Sequence, residues 1–433
     1  MSGLGFRGGG SLGGGSQIPG ISGLKPLAGG AGRGPAFTKP SADRPLMVRA
    51  FAADGLVRRY DWFLILTTLA LTGVGTVLVW AATEPSLKQA GANPDSYLYK
   101  QILNDIIGVG LMLTAGSLDY RRFRALTPWV YGIALLLLAA VMTPAGSTVN
   151  GAKAWIALPG GFQIEPSEFA KLALVLSTAT LVSRRPTIAG TGGRARVGRP
   201  GISSVLWAGL AALPLVGLVA IEPALGVTMV LVFAFSGMVV VSGLRLEWIV
   251  GALLASAVAV YAGISMHLMK GYQVTRLTAF LHPQQDLAGA GYNLIQAKTA
   301  IGSGGMLGAG LFHGSFIGNN YVPSQQTDFI FTVVGEEFGF VGCAVVIGLL
   351  TVLIVRAVRI AFVTDDLFGM LVASGIACWF IFQTFVNVGM TIGLAPITGL
   401  PLPFVSYGGS AIFADMIAVG LLQSVRRHHS VFE

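Results

Sequence analysis

Four groups of residues have types and spacings that could do chemistry. The first is Asp286, a carboxylate in a long polar, glycine-rich segment that also carries Lys270, Arg276 and Lys298. A carboxylate in such a setting can take a hydroxyl proton as a general base while cations hold an anionic leaving group. For an arbitrary loop Asp, a solvated or turn-forming side chain is the commoner role. The second group is Asp328, Glu336 and Glu337 in QTDFIFTVVGEEFG, at the start of an apolar run. Carboxylates at membrane depth face a cavity or a partner, and the eight-residue step from Asp328 to Glu336 puts both on nearly one helical face. Interfacial anchoring would suit Asp328 but not Glu336. The third is Glu168 and Lys171 in IEPSEFAKLAL, three residues apart, whose favoured reading is a buried ion pair on a helix starting at Pro166. The fourth, GSGGMLGAG at 302–310, has the glycine density of a phosphate loop but no GK[ST] ending and no preceding strand. Tight turns that bring backbone close to lipid or to neighbouring helices explain it better. Glu222 reads as interfacial. The five histidines show no ligand spacing and the two cysteines sit in apolar runs, so no metal site is expected.

The elements that must position these residues are membrane helices. Of 433 residues, 53% are hydrophobic and 11% charged, against about 25% charged in a soluble domain. The expected fold is an all-α polytopic membrane protein of ten transmembrane helices, at about 62–83, 101–118, 125–142, 166–183, 203–221, 225–242, 247–267, 329–355, 367–389 and 409–425. Basic residues alternate between the connections in the sense of the positive-inside rule, which puts both termini in the cytoplasm and the Asp286 segment outside. The net charge of +9 is spread over those connections, so no nucleic-acid partner is expected. Residues 1–60 form a basic Gly/Ser/Pro-rich tail expected to be disordered, cytoplasmic and attracted to anionic membrane lipids. The membrane domain would run over 61–425, with a large extracellular loop at 268–328 between helices 7 and 8, and a short cytoplasmic tail at 426–433. Within the loop, GYNLIQAKTAI at 291–301 has the spacing of an amphipathic helix at the outer membrane surface.

Several stretches together resemble one family. They are GAKAWIALPGGFQIEPSEFAKLAL at 151–174, EPALG at 222–226, RLTAFLHPQQDLAGAGYNLIQAKTAIGSGGMLGAG at 276–310, TDFIFTVVGEEFGFVG at 327–342 and NVGMTIGLAPITGLPLPFVSYGGSA at 387–411. Their order and spacing are those of the SEDS proteins, the integral-membrane peptidoglycan glycosyltransferases typified by RodA and FtsW. The resemblance implies polymerisation of lipid II, the lipid-linked disaccharide-pentapeptide, into glycan strands at the outer face of the plasma (inner) membrane. It also implies a class B penicillin-binding protein as partner. The family's essential aspartate falls on Asp286. It would take the proton of the acceptor hydroxyl, which attacks the anomeric carbon of the donor and expels a polyprenyl pyrophosphate. Arg276 and Lys298, with Lys153 and Lys270, would bind substrate; Glu168, Lys171, Asp328, Glu336 and Ser406 would be structural or line the cavity. A divalent cation, magnesium or manganese, could share the pyrophosphate work; no organic cofactor is expected. The chain departs from the family pattern at His282, Leu287, Ala154, Glu165 and Ala224. GGSA at 408–411 leans to the RodA type, serving elongation and shape, with an FtsW-type division polymerase as the alternative. From another class, a lipid II flippase would need charges through the full membrane depth, and a non-catalytic scaffold would not need Asp286.

Overall fold

Helix caps and apolar faces set the architecture. The computed structural model describes residues 60–144, 146–149, 152–157, 163–184, 201–222, 224–243, 247, 280–285 and 289–429. The first helices are α1 (Trp62–Gln89), α2 (Ser96–Ser117) and α3 (Tyr120–Met142). Asp61 caps α1 by accepting from the Leu64 N–H at 3.1 Å, and Asp119 caps α3 through the Arg121 N–H at 2.9 Å. Then come α4 (Pro166–Val182), with proline in its first turn, α5 (Ile202–Ile221) and α6 (Leu225–Val241). A single 3-10 turn at Pro283–Gln285 precedes α7 (Ala290–Ser303) and α8 (Ser315–Gly318). The chain closes with α9 (Ile330–Val363), α10 (Leu367–Ile392) and α11 (Gly409–His429).

Five of these helices, α1, α3, α5, α9 and α10, are long and apolar enough to cross a membrane. The large apolar side chains of α3 and α5, such as Leu136 and Leu206, face outward as they would toward lipid. By contrast α4 is buried almost all round and packs against α3, α5, α6, α10 and α11, so it is the central post of the bundle. The seventh expected span lies outside the described residues except for Glu247, as does the tail to residue 59.

The chain is not all-α. Strands β1 (Gly146–Val149), β2 (Ala152–Ala157) and β3 (Gln163–Ile164) form an antiparallel sheet with Gly146 opposite Ile156 and Ile156 opposite Ile164. Its backbone polar groups pair across strands, where a segment this rich in glycine has little helical preference. At the opposite end of the bundle Asp61 is the knot. Its carboxylate takes the Arg356 Nε and Nη2 at 2.9 and 2.5 Å, and its backbone exchanges two 2.9 Å bonds with the Gln423 amide, which ties the start of α1 to α9 and α11.

Candidate active site

Asp286, Arg276 and Lys270 lie outside the described residues, but the elements on either side of Asp286 are described. The 3-10 turn ends at Gln285 and α7 begins at Ala290. Leu294, Ala297 and Ala300 recur every three residues on the buried face of α7, against Phe329, Met390, Ala395 and Ile397. Lys298, one turn after Leu294, is exposed at the edge of that face. Its amine lies against Gly393, the left-handed C-cap of α10 (φ +80°), where a Cβ would overlap the Lys298 Cε and Nζ. That puts the cation over the C-terminal end of α10, whose free carbonyls attract positive charge.

The glycine stretch after α7 docks into a break in α9. Gly339 has φ +64° and ψ −158°, so the helical bonds from Phe340 and Val341 back to Glu336 and Glu337 are not made. The loop supplies the missing partners. Ala309 N–H donates to the Glu336 carbonyl at 2.9 Å and Gly310 N–H to that of Glu337 at 3.0 Å. In return Phe340 N–H donates to the Gly305 carbonyl at 2.9 Å and Val341 N–H to that of Met306 at 3.2 Å. The glycines thus serve approach of backbone to backbone. The side chains of the same two glutamates hold the next turn: the Glu336 carboxylate accepts from the Phe316 and Ile317 N–H groups at 2.7 and 3.1 Å, and Glu337 accepts from the Phe312 N–H at 3.0 Å. Asp328 does not share a helical face with Glu336, because α9 begins only at Ile330 and Asp328 sits in the preceding turn.

A second polar assembly surrounds α4. The Lys171 Nζ is 2.7 Å from Glu168 Oε2, with both side chains buried, 3.0 Å from Gln383 Oε1, and 4.4 Å from the centroid of the Trp379 ring. Gln383 also accepts from the Trp379 indole N–H at 2.6 Å, and fully buried Asp415 lies close to the pair. At the N-terminal end of α4, Glu165 accepts from the Ser167 hydroxyl at 2.9 Å, and its N–H donates to Ser410 Oγ at 2.9 Å. Loss of water and the nearby Glu168 charge push the Glu165 carboxyl well above the usual carboxylate range. Burial, with the Glu165 charge adding to it, pushes Glu222 up to about 8, and neither Glu222 oxygen has a hydrogen-bond partner among the described residues.

The remaining sequence candidates, Ser406 and Lys153, hold backbone, and so does Asn387. The Ser406 hydroxyl donates to the Thr327 carbonyl at 2.5 Å and accepts from the Leu402 N–H at 2.8 Å. The Asn387 amide donates to the carbonyls of Asp328 and Leu400 at 2.8 and 2.7 Å. Lys153, on β2, donates to the Met142 carbonyl at 3.3 Å. Among the described residues no three His, Cys, Asp or Glu come together as a metal site. Gln383, Asn387, Glu165 and Asp415 escaped the sequence reading as site members, although an acid such as Asp415 inside an apolar span is itself a signal.

The arrangement has relatives. A family model described as cell cycle protein, the FtsW, RodA and SpoVE family, matches residues 61–431. Trichlorobacter lovleyi has a probable peptidoglycan glycosyltransferase FtsW that is 36% identical, over 84% of this chain and 93% of that protein. The peptidoglycan glycosyltransferase RodA of Treponema pallidum is 32% identical, over 85% of this chain and 98% of that protein. A solved structure described as structural coordination of polymerization and crosslinking by a peptidoglycan synthase complex superposes with a TM-score of 0.69 at 33% identity, covering 86% of this chain and 98% of that one.

Proposed function

The chain belongs to the FtsW, RodA and SpoVE family and is a multi-pass membrane peptidoglycan glycosyltransferase, and from that premise we propose that it polymerises lipid II with Asp286 as its general base. In this reading Asp286 removes the proton of the acceptor sugar hydroxyl. The hydroxyl oxygen bonds to the anomeric carbon of the donor as the carbon–oxygen bond to phosphate breaks, and polyprenyl pyrophosphate leaves with the electron pair. Arg276 and Lys298 hold the pyrophosphate by charge-assisted hydrogen bonds, and Lys153 and Lys270 add positive charge around it. Lys298 suits this role: it is exposed, on a helix that begins four residues after Asp286, with its stem seated at Gly393.

The proposal includes ten helices, cytoplasmic termini and an active site facing outward from the plasma membrane, as the basic residues of the connections support. A class B penicillin-binding protein is the proposed partner, by analogy with the synthase complex that the chain resembles. The RodA-type reading rests on the GGSA segment and on relatives such as the Treponema protein, while the FtsW relative favours a division polymerase as the second reading.

The observation that carries the function is the family match across residues 61–431, which contain the Asp286 segment. The test is glycan-strand formation from purified lipid II by the chain co-purified with its penicillin-binding protein, wild type beside Asp286→Ala. Polymer from the wild type alone is expected. Equal polymer from both would remove Asp286 from the mechanism.

A further inference from the structure

A groove of about 150 Å³ opens between α3, α4 and α5, near the C-terminal end of α4, lined by Thr127, Pro128, Tyr131, Ser177, Thr180 and Arg184, among others. Its polar atoms make no demand for water. Thr127 donates to the Phe123 carbonyl at 2.8 Å and shares a 3.0 Å bond with the Thr180 hydroxyl. Ser177 donates to the Leu174 carbonyl at 3.1 Å, and the Tyr131 hydroxyl bridges to the Ala211 carbonyl at 2.7 Å. With its hydroxyls occupied, the wall offers mainly hydrocarbon, an open apolar trough along which an acyl chain can lie.

One end of the groove is strongly basic. Arg184 lies on its rim, exposed, with no hydrogen bond or ion pair to any described residue. Arg124 reaches the carbonyl of the adjacent Ser183 at 3.4 Å and lies over the Phe368 ring at 5.9 Å, with no carboxylate partner among the described residues. Two guanidiniums without anions beside an apolar trough at the end of membrane helices match an amphiphile with a negative head and a hydrocarbon tail.

We infer that this groove binds one anionic phospholipid, with its phosphate on Arg124 and Arg184 and the upper part of an acyl chain along Pro128 and Ala211. A zwitterionic lipid fits less well, because its own ammonium competes for the phosphate that the arginines would hold. In the orientation proposed above, with both termini in the cytoplasm, this basic end of the groove lies in the cytoplasmic leaflet; the binding itself does not depend on that orientation.

The test uses the full chain in nanodiscs of phosphatidylcholine with a minority of phosphatidylglycerol, released for native mass spectrometry. One phosphatidylglycerol retained per chain is expected in the wild type. Arg124→Gln with Arg184→Gln should lower that retention about thirty-fold, ~2 kcal/mol at ~1.4 kcal/mol per tenfold, as expected for two basic residues near an anionic head. Ala211→Phe keeps both charges and fills the trough, so it should also release the lipid while thermal stability stays near wild type. Equal retention in all three proteins overturns the inference, as does equal retention of phosphatidylcholine. Inorganic phosphate at millimolar concentration should not displace the lipid, and displacement would make this a free-anion site. Labelling of Ser183→Cys by an impermeant maleimide reports the leaflet separately: labelling from outside would reject the cytoplasmic assignment and leave the binding result standing.

Discussion

Replacing Gly308 by alanine strikes the join between the glycine loop and the break in α9. Gly308 has φ +83°, a conformation that costs an L side chain about 1–2 kcal/mol. A Cβ there would also overlap the Glu337 carbonyl, so the loop must retreat. Retreat removes the bonds from Ala309 and Gly310 to the Glu336 and Glu337 carbonyls, at 2.9 and 3.0 Å, and those carbonyls have no helical partner to return to. Each such group left unpaired costs about 1–3 kcal/mol. The loss is then about 3–8 kcal/mol, or roughly 6–16 °C in Tm at a slope of about 2 °C per kcal/mol. Two neighbours separate contact from strain. Gly305 also has positive φ, +56°, but nothing lies within 4 Å of a Cβ there, so Gly305→Ala should cost only the strain, about 1–2 kcal/mol. Gly302 is helical and equally open, so Gly302→Ala should be neutral or gain up to about 1 kcal/mol in helix preference. The assay is thermal unfolding in detergent, followed by tryptophan fluorescence, with glycan synthesis measured on the same preparations. If Gly308→Ala melts where Gly305→Ala does, the backbone exchange between loop and helix does not hold this region together.

Three further perturbations follow from the polar interior. Lys171→Met leaves Glu168 buried without its cation and should cost about 3–5 kcal/mol, most of it recovered by adding Glu168→Gln; equal melting of the single and double variants would contradict the pairing. Arg356→Gln strips the buried Asp61 of its guanidinium at a comparable cost, visible as a lower Tm and as earlier proteolysis near residue 61, and unchanged melting would show the knot to be idle. Glu222 has a folded pKa near 8 against an unfolded value near 4.5. Its neutral form is favoured in the fold, so its stabilising effect is complete below pH 4.5 and is lost as pH rises through 8, by up to ~1.4 kcal/mol per pH unit. Glu222→Gln should therefore flatten the Tm profile between pH 5 and 8 and raise Tm most at the alkaline end, and a profile parallel to wild type would reject the raised pKa.

The parts of this molecule that sequence reveals are those fixed by one-dimensional physics. A helix exposed to hydrocarbon needs an unbroken apolar run, so α3 and α5 could be read from composition. Lys171 could be matched to Glu168 because a helix brings residues three apart together. Partners supplied by distant segments were not legible: Gln383 reaches Lys171 across 212 positions, and nothing in IFQTF marks that glutamine. The sheet left a trace that the helical reading passed over, since Asn150–Gly151 is a hairpin dipeptide between strands that pair Val149 with Ala152. The break in α9 is the most instructive case. GEEFG reads as a continuous helix with two costly acids, because a helix is judged on its own hydrogen bonds. Here the bonds lost at Gly339 are remade by residues 305–310, so the glycines of the loop and the glycine of the helix are one device written in two places. The two acids also change meaning: with their carboxylates on the N–H groups of Phe312, Phe316 and Ile317, they brace the chain that follows the α7 segment carrying Lys298. A site built in this way needs its polar groups at membrane depth for the positioning of a loop before any of them touches substrate.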